Sequence, residues 1–197
     1  MHELKTNQVK ITLKRSLLIV ALLLPAFAVA QQRHDPLLIQ SLQDNLRHAD
    51  SFTDRFEAEV WLLVMSQRMQ PFIKDPGQRI QLLQSVHREA SRTNLPAELV
   101  LALIHTESSF DRFAVSSAGA QGLMQVMPFW KSVIGRPDDN LTDIETNLRY
   151  GSAILSHYLE RESGNLTRAL ARYNGSPGQT WYPERVYKNW NRHWKND

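Results

Sequence analysis

The sequence predicts a mainly α-helical protein, and three observations support this class. Apolar residues recur at spacings of three and four through most of the chain, as in helices that bury one face. No stretch shows the sustained alternation of a half-buried β-strand. Proline, glycine, Asp and Asn stand between the periodic segments, where helices begin and end. A chain of 197 residues is expected to form one compact domain after its leader.

Residues 1–30 have the pattern of a secretory signal peptide. Basic residues up to Arg15 precede an apolar run from Leu17 to Leu24, and Ala28-Val29-Ala30 supplies the small residues of a cleavage site. This run has eight residues, whereas a membrane-spanning helix needs about 20. We therefore expect export to the periplasm, a mature chain from Gln31, and no integral membrane segment after cleavage.

Composition narrows the range of partners and cofactors. Of 23 basic and 20 acidic residues, the leader holds four and one, so 19 of each remain and the mature chain is formally neutral. It has no basic stripe that would follow phosphates, so nucleic acid is not an expected partner. There is no cysteine, and we find no zinc-protease spacing of histidines, no phosphate-binding loop and no Gly-x-Ser-x-Gly elbow. No metal or other cofactor is implied.

Residues 31–85 are expected to form a helical extension that packs on the domain of residues 86–197. From Asp35 to Asp75 there are two successive apolar stripes, formed by Leu37, Leu38, Leu42 and Leu46 and then by Phe56, Val60, Leu63 and Val64. After Asp75-Pro76-Gly77, a third helix is predicted to end near Asn94 and to bury Ile80, Leu83, Val86 and Ala90. The extension carries no chemical motif, and a separate partner-binding role remains an alternative.

The stretch from Leu95 to Pro128 combines a helix, a carboxylate and a glycine-rich turn. Pro96 suits the first helical position, and the buried stripe is predicted to contain Leu99, Val100, Leu103 and Ile104. Glu107 follows Leu103 by four residues, so its carboxylate falls on this stripe. It is either a helix-end Glu that reaches water or an arginine such as Arg112, or a desolvated acid with a raised pKa that delivers a proton near neutral pH.

The residues after Glu107 favour the second interpretation. Ser108 and Ser109 are weak helix formers that can end the helix. Gly119 and Gly122 mark positions where the backbone needs positive φ or approaches a ligand closely. A helix that ends in Glu beside such a turn is typical of a cleft wall.

The remaining chain is also predicted to be helical. A short helix with Phe129, Trp130, Val133 and Ile134 begins near Pro128 and ends at Gly135, and a loop to Thr146 can rim a cleft. Helices over Asn147–Glu162 and Leu166–Tyr173 follow, and then a Ser-Pro-Gly turn. The last residues contain five rings that are predicted to lie mostly in the core, namely Trp181, Tyr182, Tyr187, Trp190 and Trp194.

Three blocks of residues stand in an order and spacing that match one known family. The first is Glu107-Ser108-Ser109-Phe110 followed by Ser116-x-x-Gly119-Ala120-x-Gly122-Leu123-Met124-Gln125-x-Met127-Pro128. The second is Asn147-Leu148-x-x-Gly151 with Tyr158-Leu159, and the third is Ala171-Arg172-Tyr173-Asn174-Gly175. In these blocks the chain resembles lytic transglycosylases of the soluble-lytic-transglycosylase type, family 23 of the glycoside hydrolases.

The resemblance implies a lysozyme-like fold and a reaction on peptidoglycan glycan strands. The bond cleaved would be the β-1,4 bond from N-acetylmuramic acid (MurNAc) to N-acetylglucosamine (GlcNAc), leaving 1,6-anhydro-MurNAc ends. Glu107 would act as acid and then as base. The resemblance also implies substrate-binding residues, which are Ser116, Met124, Gln125, Tyr173, Asn174 and Tyr187. Alternatively, Ser116 and Gln125 only brace the glycine-rich turn.

The sequence departs from the family near its C-terminus, and two other functions stay open. Pro183 and Glu184 stand where the family has Glu and Thr, before the matching Arg185 and Tyr187. A goose-type-lysozyme-like muramidase would use a second carboxylate to position water, with Asp111, Asp138 and Asp139 as candidates. A non-catalytic peptidoglycan-binding protein is the third possibility.

Overall fold

A computed structural model describes residues 55–195, and its regular structure is helical. The elements are α1 (Arg55–Met69), α2 (Pro76–Arg92), α3 (Ala97–Glu107), α4 (Trp130–Ile134), α5 (Ile144–Arg161), α6 (Leu166–Tyr173), α7 (Trp181–Asn189) and a π-helical segment (Trp190–Trp194). Between α3 and α4 there are two isolated β-bridges, Val115 with Gln121 and Gln121 with Val126. The predicted mainly α class is confirmed. The predicted leader and the stripe from Leu37 to Leu46 lie outside the described residues.

The central helix is α3, because nearly its whole length is buried. From Ala97 to Ile104, every side chain except that of Glu98 is buried, which confirms the predicted stripe. Pro96 lies one residue before the helix rather than at its first position. Its extended ψ of 129° makes it the capping residue, and its carbonyl accepts hydrogen bonds from the Leu99 and Val100 amides. Helices α2 and α7 and the π-helical segment pack around α3.

The predicted stripe of α1 is wrong in its register. Phe56 and Val60 are 73% and 46% exposed, and the buried face instead consists of Ala58, Trp61, Leu62, Met65 and Met69. Helix α1 is apolar on more than one side, so spacing alone admitted two faces. The tertiary structure selects the face with Trp61, whose indole N–H donates to Glu98 of α3 at 2.7 Å.

Helix α2 agrees with its prediction. Asp75 caps it by accepting a hydrogen bond from the Gln78 amide at 2.7 Å. Its buried apolar residues include the four predicted ones, Ile80, Leu83, Val86 and Ala90. The helix continues without interruption through residue 85, so the division into residues 31–85 and 86–197 stays a proposal.

Helix α5 begins three residues earlier than predicted, at Ile144. The Asp143 carboxylate accepts a hydrogen bond from the Thr146 amide at 3.0 Å, a capping contact that moves the start into the predicted loop. Helix α6 has the predicted bounds. In the described part of the chain, no helix has the length and apolar character needed to cross a membrane.

The C-terminal aromatic residues divide between core and surface. Tyr182 and Trp194 are buried, as predicted for most of these rings, whereas Trp181 is 46% exposed. Tyr187 and Trp190 are partly buried, with stacked rings whose centroids are 6.4 Å apart. Helix α7 thereby closes the core against the end of α3.

Candidate active site

The chain is held firmly just after α3 ends at Glu107. The Ser108 hydroxyl donates to the Leu123 carbonyl at 2.8 Å. Ser109 and Phe110 have φ of 50° and 68°, which is uncommon for residues other than glycine. Phe110 is buried in an aromatic cluster, whose other members are Phe72, His105 and Trp194. These anchors stabilise the left-handed turn and fix the direction of the Glu107 side chain.

Glu107 has a neutral hydrogen-bond donor and one nearby cation. The Tyr182 hydroxyl donates to its Oε1. Burial raises the pKa of Glu107 from its usual 4.5 to about 7, although the Tyr182 hydrogen bond and the Arg185 charge both act to lower it. The carboxyl therefore gains and loses its proton near neutral pH, as the desolvated-acid interpretation predicts.

Tyr173 supplies a second phenol near this carboxyl. Its hydroxyl donates to the Met124 carbonyl at 2.7 Å. Burial and the neighbouring Glu107 charge raise the pKa of Tyr173 well above 10.0, and the same two causes, with the hydrogen bond to Glu107, raise that of Tyr182. Both phenols stay protonated at neutral pH, so they act as hydrogen-bond donors.

Asn147 of α5 holds the glycine-rich turn through its side-chain amide. Its Oδ1 accepts from the Met124 amide at 2.7 Å, and its Nδ2 donates to the carbonyls of Gln121 at 2.8 Å and Leu141 at 2.7 Å. Asn147 is buried, and these hydrogen bonds replace those that its amide would form with water. The turn is thus fastened to α5.

Glycine is required in the turn for two different reasons. Gly122 has a φ of 77°, and a Cβ there would lie 2.4 Å from Asn147 Nδ2 and 2.4 Å from the Leu141 carbonyl oxygen. Gly119 has a φ of 87° with open space around it. The predicted positive φ is therefore confirmed at both glycines, whereas the close approach at Gly122 is to protein atoms and not to the predicted ligand.

Gly151 explains the second sequence block. A Cβ at Gly151 would lie 2.4 Å from the Met124 sulfur. Met124 is fully buried, so its side chain packs on α5 while its carbonyl accepts from Tyr173. Asn147 and Gly151 are one helical turn apart on the same face, and together they place the turn beside Glu107.

Ser116 and Gln125 both brace the turn. Ser116 Oγ accepts from the Ala120 amide at 3.0 Å, and Gln125 Nε2 donates to the carbonyls of Ala114 at 3.1 Å and Gly122 at 3.0 Å. The bracing alternative is therefore present in the structure. These bonds use the Gln125 donor and one Ser116 lone pair, so the Gln125 Oε1 acceptor and the Ser116 hydrogen remain usable for a ligand.

The other two predicted binding residues are Asn174, which follows α6, and Tyr187, which lies on α7. Both are partly buried. Asn174 donates to the Ser176 hydroxyl at 3.0 Å. The Tyr187 hydroxyl is hydrogen-bonded to Thr167 at 3.1 Å. Within residues 55–195, neither side chain forms a hydrogen bond to Glu107.

Sequence reasoning missed Tyr182, and Arg112, the arginine considered in the disfavoured interpretation of Glu107, does not pair with it. Arg112 donates instead to the Thr142 carbonyl at 3.1 Å and lies over the Phe113 ring. Arg185 is the cation whose charge reaches Glu107. Tyr182 carried no signal beyond being one of several C-terminal rings, because its contact with α3 joins residues 75 positions apart.

No metal-binding arrangement is found within the described residues. Groups of three or more His, Cys, Asp or Glu side chains that could hold a metal ion are absent from residues 55–195. The site consists of one carboxyl, two phenols, a guanidinium and a braced backbone turn.

Comparison with known proteins identifies the family. The family model described as "Transglycosylase SLT domain" matches residues 84–194, more than half of the chain. The chain therefore belongs to the transglycosylase SLT domain family. This membership confirms the resemblance seen in the three sequence blocks.

Individual relatives share part of their length with this chain. The transglycosylase of Enterobacteria phage PRD1 is 34% identical over 119 residues, covering 57% of this chain and 44% of the phage protein. Membrane-bound lytic murein transglycosylase C of Yersinia pestis (strain Pestoides F) is 35% identical over 112 residues, 49% of this chain and 31% of that protein. The chain thus spans less than half the length of these relatives.

Two solved structures are similar over most of this chain. An X-ray structure of an inactive mutant of lytic transglycosylase Slt from Pseudomonas aeruginosa has a TM-score of 0.44 and 26% identity, covering 73% of this chain and 30% of that one. The 70 kDa soluble lytic transglycosylase of Escherichia coli has a TM-score of 0.43 and 21% identity, covering 78% and 25%.

Proposed function

We propose that this protein is a periplasmic lytic transglycosylase that cleaves the MurNAc-β-1,4-GlcNAc bond of peptidoglycan and leaves 1,6-anhydro-MurNAc ends. The observation that carries this proposal is Glu107, a carboxyl with a pKa of about 7 at the end of α3, in a chain of the SLT family. An acid with that pKa is half protonated near neutral pH, where it can both give and take a proton.

In the proposed reaction, Glu107 serves in both proton transfers. It first protonates the glycosidic oxygen as the bond from C1 of MurNAc breaks, and it becomes a carboxylate. That carboxylate then accepts the proton of the C6 hydroxyl of the same sugar, whose oxygen closes on C1. The N-acetyl group assists at C1 between these steps. The C6 hydroxyl is already attached to the reacting sugar, so its attack has the high effective molarity of an intramolecular group.

The residues around Glu107 are assigned roles from the hydrogen bonds that they form and from the donors and acceptors that they leave free. Tyr182 orients the Glu107 carboxyl through its hydrogen bond to Oε1. The Ser116 hydroxyl and Gln125 Oε1 contact the sugar, since the Ser116 hydrogen and the Gln125 oxygen are not used by the bonds that brace the turn. Met124 and Tyr173, which the resemblance assigns to substrate binding, also hold the turn in position. Asn174 and Tyr187 contribute to glycan binding farther from the reacting bond.

A single-carboxylate reaction is favoured over the muramidase alternative. The muramidase alternative needs a second catalytic carboxylate about 5–9.5 Å from Glu107, and the three candidates have other surroundings. Asp111 accepts from the Phe113 amide at 2.9 Å within its own turn. Asp139 is held by Tyr150 and by the Arg136 amide. The third candidate, Asp138, is exposed.

The products distinguish the two reactions directly. Purified peptidoglycan is digested by the full chain in water labelled with heavy oxygen, and the muropeptides are analysed by mass. We expect anhydro ends, one water lighter than reducing ends, with no label, and we expect Asp111→Asn, Asp138→Asn and Asp139→Asn to retain most activity. Labelled reducing ends, with collapse of activity in one Asp variant, would establish a hydrolase. Absence of any cleavage would favour the non-catalytic alternative.

The periplasmic location rests on the leader pattern in residues 1–30. N-terminal sequencing of the exported protein should give Gln31 as the first residue. An intact Met1 species confined to the membrane fraction would contradict it.

A further inference from the structure

One member of the aromatic cluster beside the active site comes from outside the family domain. The family model matches residues 84–194, and the other members of the cluster all lie within that range. Phe72 precedes it, in the connection between α1 and α2, residues 70–75. The helical extension therefore supplies a side chain to the part of the domain that carries the candidate acid.

Phe72 contacts the chain on both sides of Glu107. Its ring centroid is 4.6 Å from that of His105, two residues before the acid, and 5.0 Å from that of Phe110, three residues after it. Between them, Ser109 and Phe110 have φ of 50° and 68°. Backbone in this region persists only while the surrounding contacts hold it, and the Phe72 ring is one of those contacts.

A buried arginine fixes the position of Phe72. Arg79 of α2 is buried, and its Nε donates to Ser66 Oγ of α1 at 2.9 Å. Its Nη1 donates to the carbonyls of Ile73 at 3.0 Å and Lys74 at 2.8 Å, directly after Phe72. Hydrogen bonds from a charged donor are stronger than neutral ones, so the connection is held to both helices and the ring is held against the cluster.

A second arginine of the extension holds the C-terminal member of the cluster. Arg68 Nη1 of α1 donates to the Lys195 carbonyl at 3.0 Å and to the His193 carbonyl at 3.4 Å. Trp194 lies between these two residues in the chain, is fully buried, and has its ring centroid 5.3 Å from that of Phe110. Carbonyls at a helix C-terminus favour such a cation. The extension thus supports the cluster at two points.

We propose that Phe72 is a positioning residue for Glu107: its ring holds the left-handed turn after α3 and so keeps the carboxyl directed at the Tyr182 hydroxyl and at the substrate. This inference rests on the proposed function and gives part of the extension a role in the reaction. A displacement of a catalytic group by about 1 Å can lower a rate by about 10²-fold. Sugar contacts are assigned to Ser116 and Gln125, outside the cluster, so kcat rather than KM should depend on Phe72.

The test measures release of anhydro ends from soluble glycan strands by the full-length protein. Phe72→Ala should lower kcat by about tenfold or more and leave KM within about twofold of wild type. Phe72→Leu, which fills part of the space without a ring, should show the same changes at smaller size. Leu62→Ala is the control, because Leu62 is fully buried in α1 and is not a member of the cluster. It should lower the melting temperature and leave kcat unchanged below the unfolding transition.

The pH profile gives a readout that a loss of stability alone would not move. Burial is the largest cause of the raised pKa of Glu107. A relaxed turn admits water to the carboxyl in Phe72→Ala, so the decline of activity should move from about pH 7 to lower pH. The neighbouring titratable groups, Tyr173, Tyr182 and Arg185, are unchanged in this variant. Loss of the Tyr182 hydrogen bond alone would raise the pKa and move the decline the opposite way.

The outcomes separate this inference from the function on which it rests. Wild-type kcat in Phe72→Ala, a change confined to KM, or an equal fall of kcat in Leu62→Ala would overturn the positioning role while the anhydro products still stand. An unmoved pH profile would also overturn it. If Phe72→Ala does not fold, the kcat and pH profile of Phe72→Leu decide by the same criteria. If wild type releases no anhydro ends, the proposed function itself is wrong.

Discussion

Two carboxylates at helix ends, Glu107 of α3 and Glu162 after α5, meet opposite surroundings. Glu162 has a side chain that is 2% exposed, with Arg168 Nε 2.6 Å from its Oε2 and Arg172 donating to its Oε1. The Arg172 hydrogen bond, helped by the Arg168 charge, lowers the pKa of Glu162 against the opposing effect of burial. Glu107 instead accepts a hydrogen bond from the Tyr182 phenol, and burial raises the pKa of Glu107.

The difference shows that burial alone does not define a catalytic carboxyl. Glu162 is buried and Glu107 is partly buried, but two guanidinium groups favour the charged form of Glu162, so it stays ionised and links α5 to α6. The neutral Tyr182 hydroxyl orients the Glu107 carboxyl, but it stabilises the negative charge much less than a guanidinium group would. The charge of the partner therefore separates a structural carboxylate from one that can transfer a proton.

The largest expected effect is on turnover in Glu107→Gln. Gln keeps the shape and can still accept from Tyr182, but it cannot give or take the proton, so the rate should fall by about 10²–10⁴-fold. Rates of anhydro-end release from peptidoglycan measure this, with circular dichroism to confirm the fold. Retention of more than a tenth of the wild-type rate, a loss below about 1.4 kcal/mol in transition-state stabilisation, would mean that another residue is the acid.

The same substitution should make stability depend less on pH. The folded-state pKa of about 7 lies above the usual 4.5, so folded wild type binds the proton more tightly than the unfolded chain. That contribution is complete below pH 4.5 and is lost as the pH rises through about 7. Between pH 4 and 8, Glu107→Gln should gain about 3 kcal/mol in unfolding free energy relative to wild type, at 1.36 kcal/mol per pH unit. Urea unfolding at both pH values tests this, and a constant difference would contradict it.

Glu162→Gln should lower Tm and spare the chemistry. The change leaves Arg168 and Arg172 without their shared carboxylate at a buried contact, so the link between α5 and α6 weakens. We expect a lower melting temperature by calorimetry, with an unaltered pH profile of activity. A shifted profile would show that Glu162 is coupled to the site after all.

The smallest expected effect is that of Tyr182→Phe. Activity of the wild type should decline above pH about 7, where Glu107 loses its proton. The Tyr182 hydrogen bond lowers this pKa, so its loss should move the decline to higher pH and reduce the rate several-fold through poorer orientation. Tyr150→Phe is the control, because it removes a phenol from Asp139 elsewhere. If both variants shift the profile equally, the effect is not local to Glu107.

Local sequence was sufficient for much of the fold and for the choice of Glu107 as the candidate acid. Apolar spacing identified the buried face of α2 and α3, and Ser108 marked the end of α3, because these features depend on neighbours within one or two helical turns. It failed for α1, where apolar residues on several sides admitted two registers. It also placed the start of α5 late, since the Asp143 cap was not recognised in a polar loop.

The sequence by itself determined the helical class, the family blocks and the choice of Glu107, because each rests on residues close together in the chain. Only the tertiary structure decided what surrounds that carboxyl. Tyr182 and Arg185 arrive from α7, Asn147 and Gly151 fix the turn from α5, and Arg112 turns away to Thr142. The pKa of a buried acid depends on solvation and on charges brought from distant segments, and residue spacing contains neither quantity.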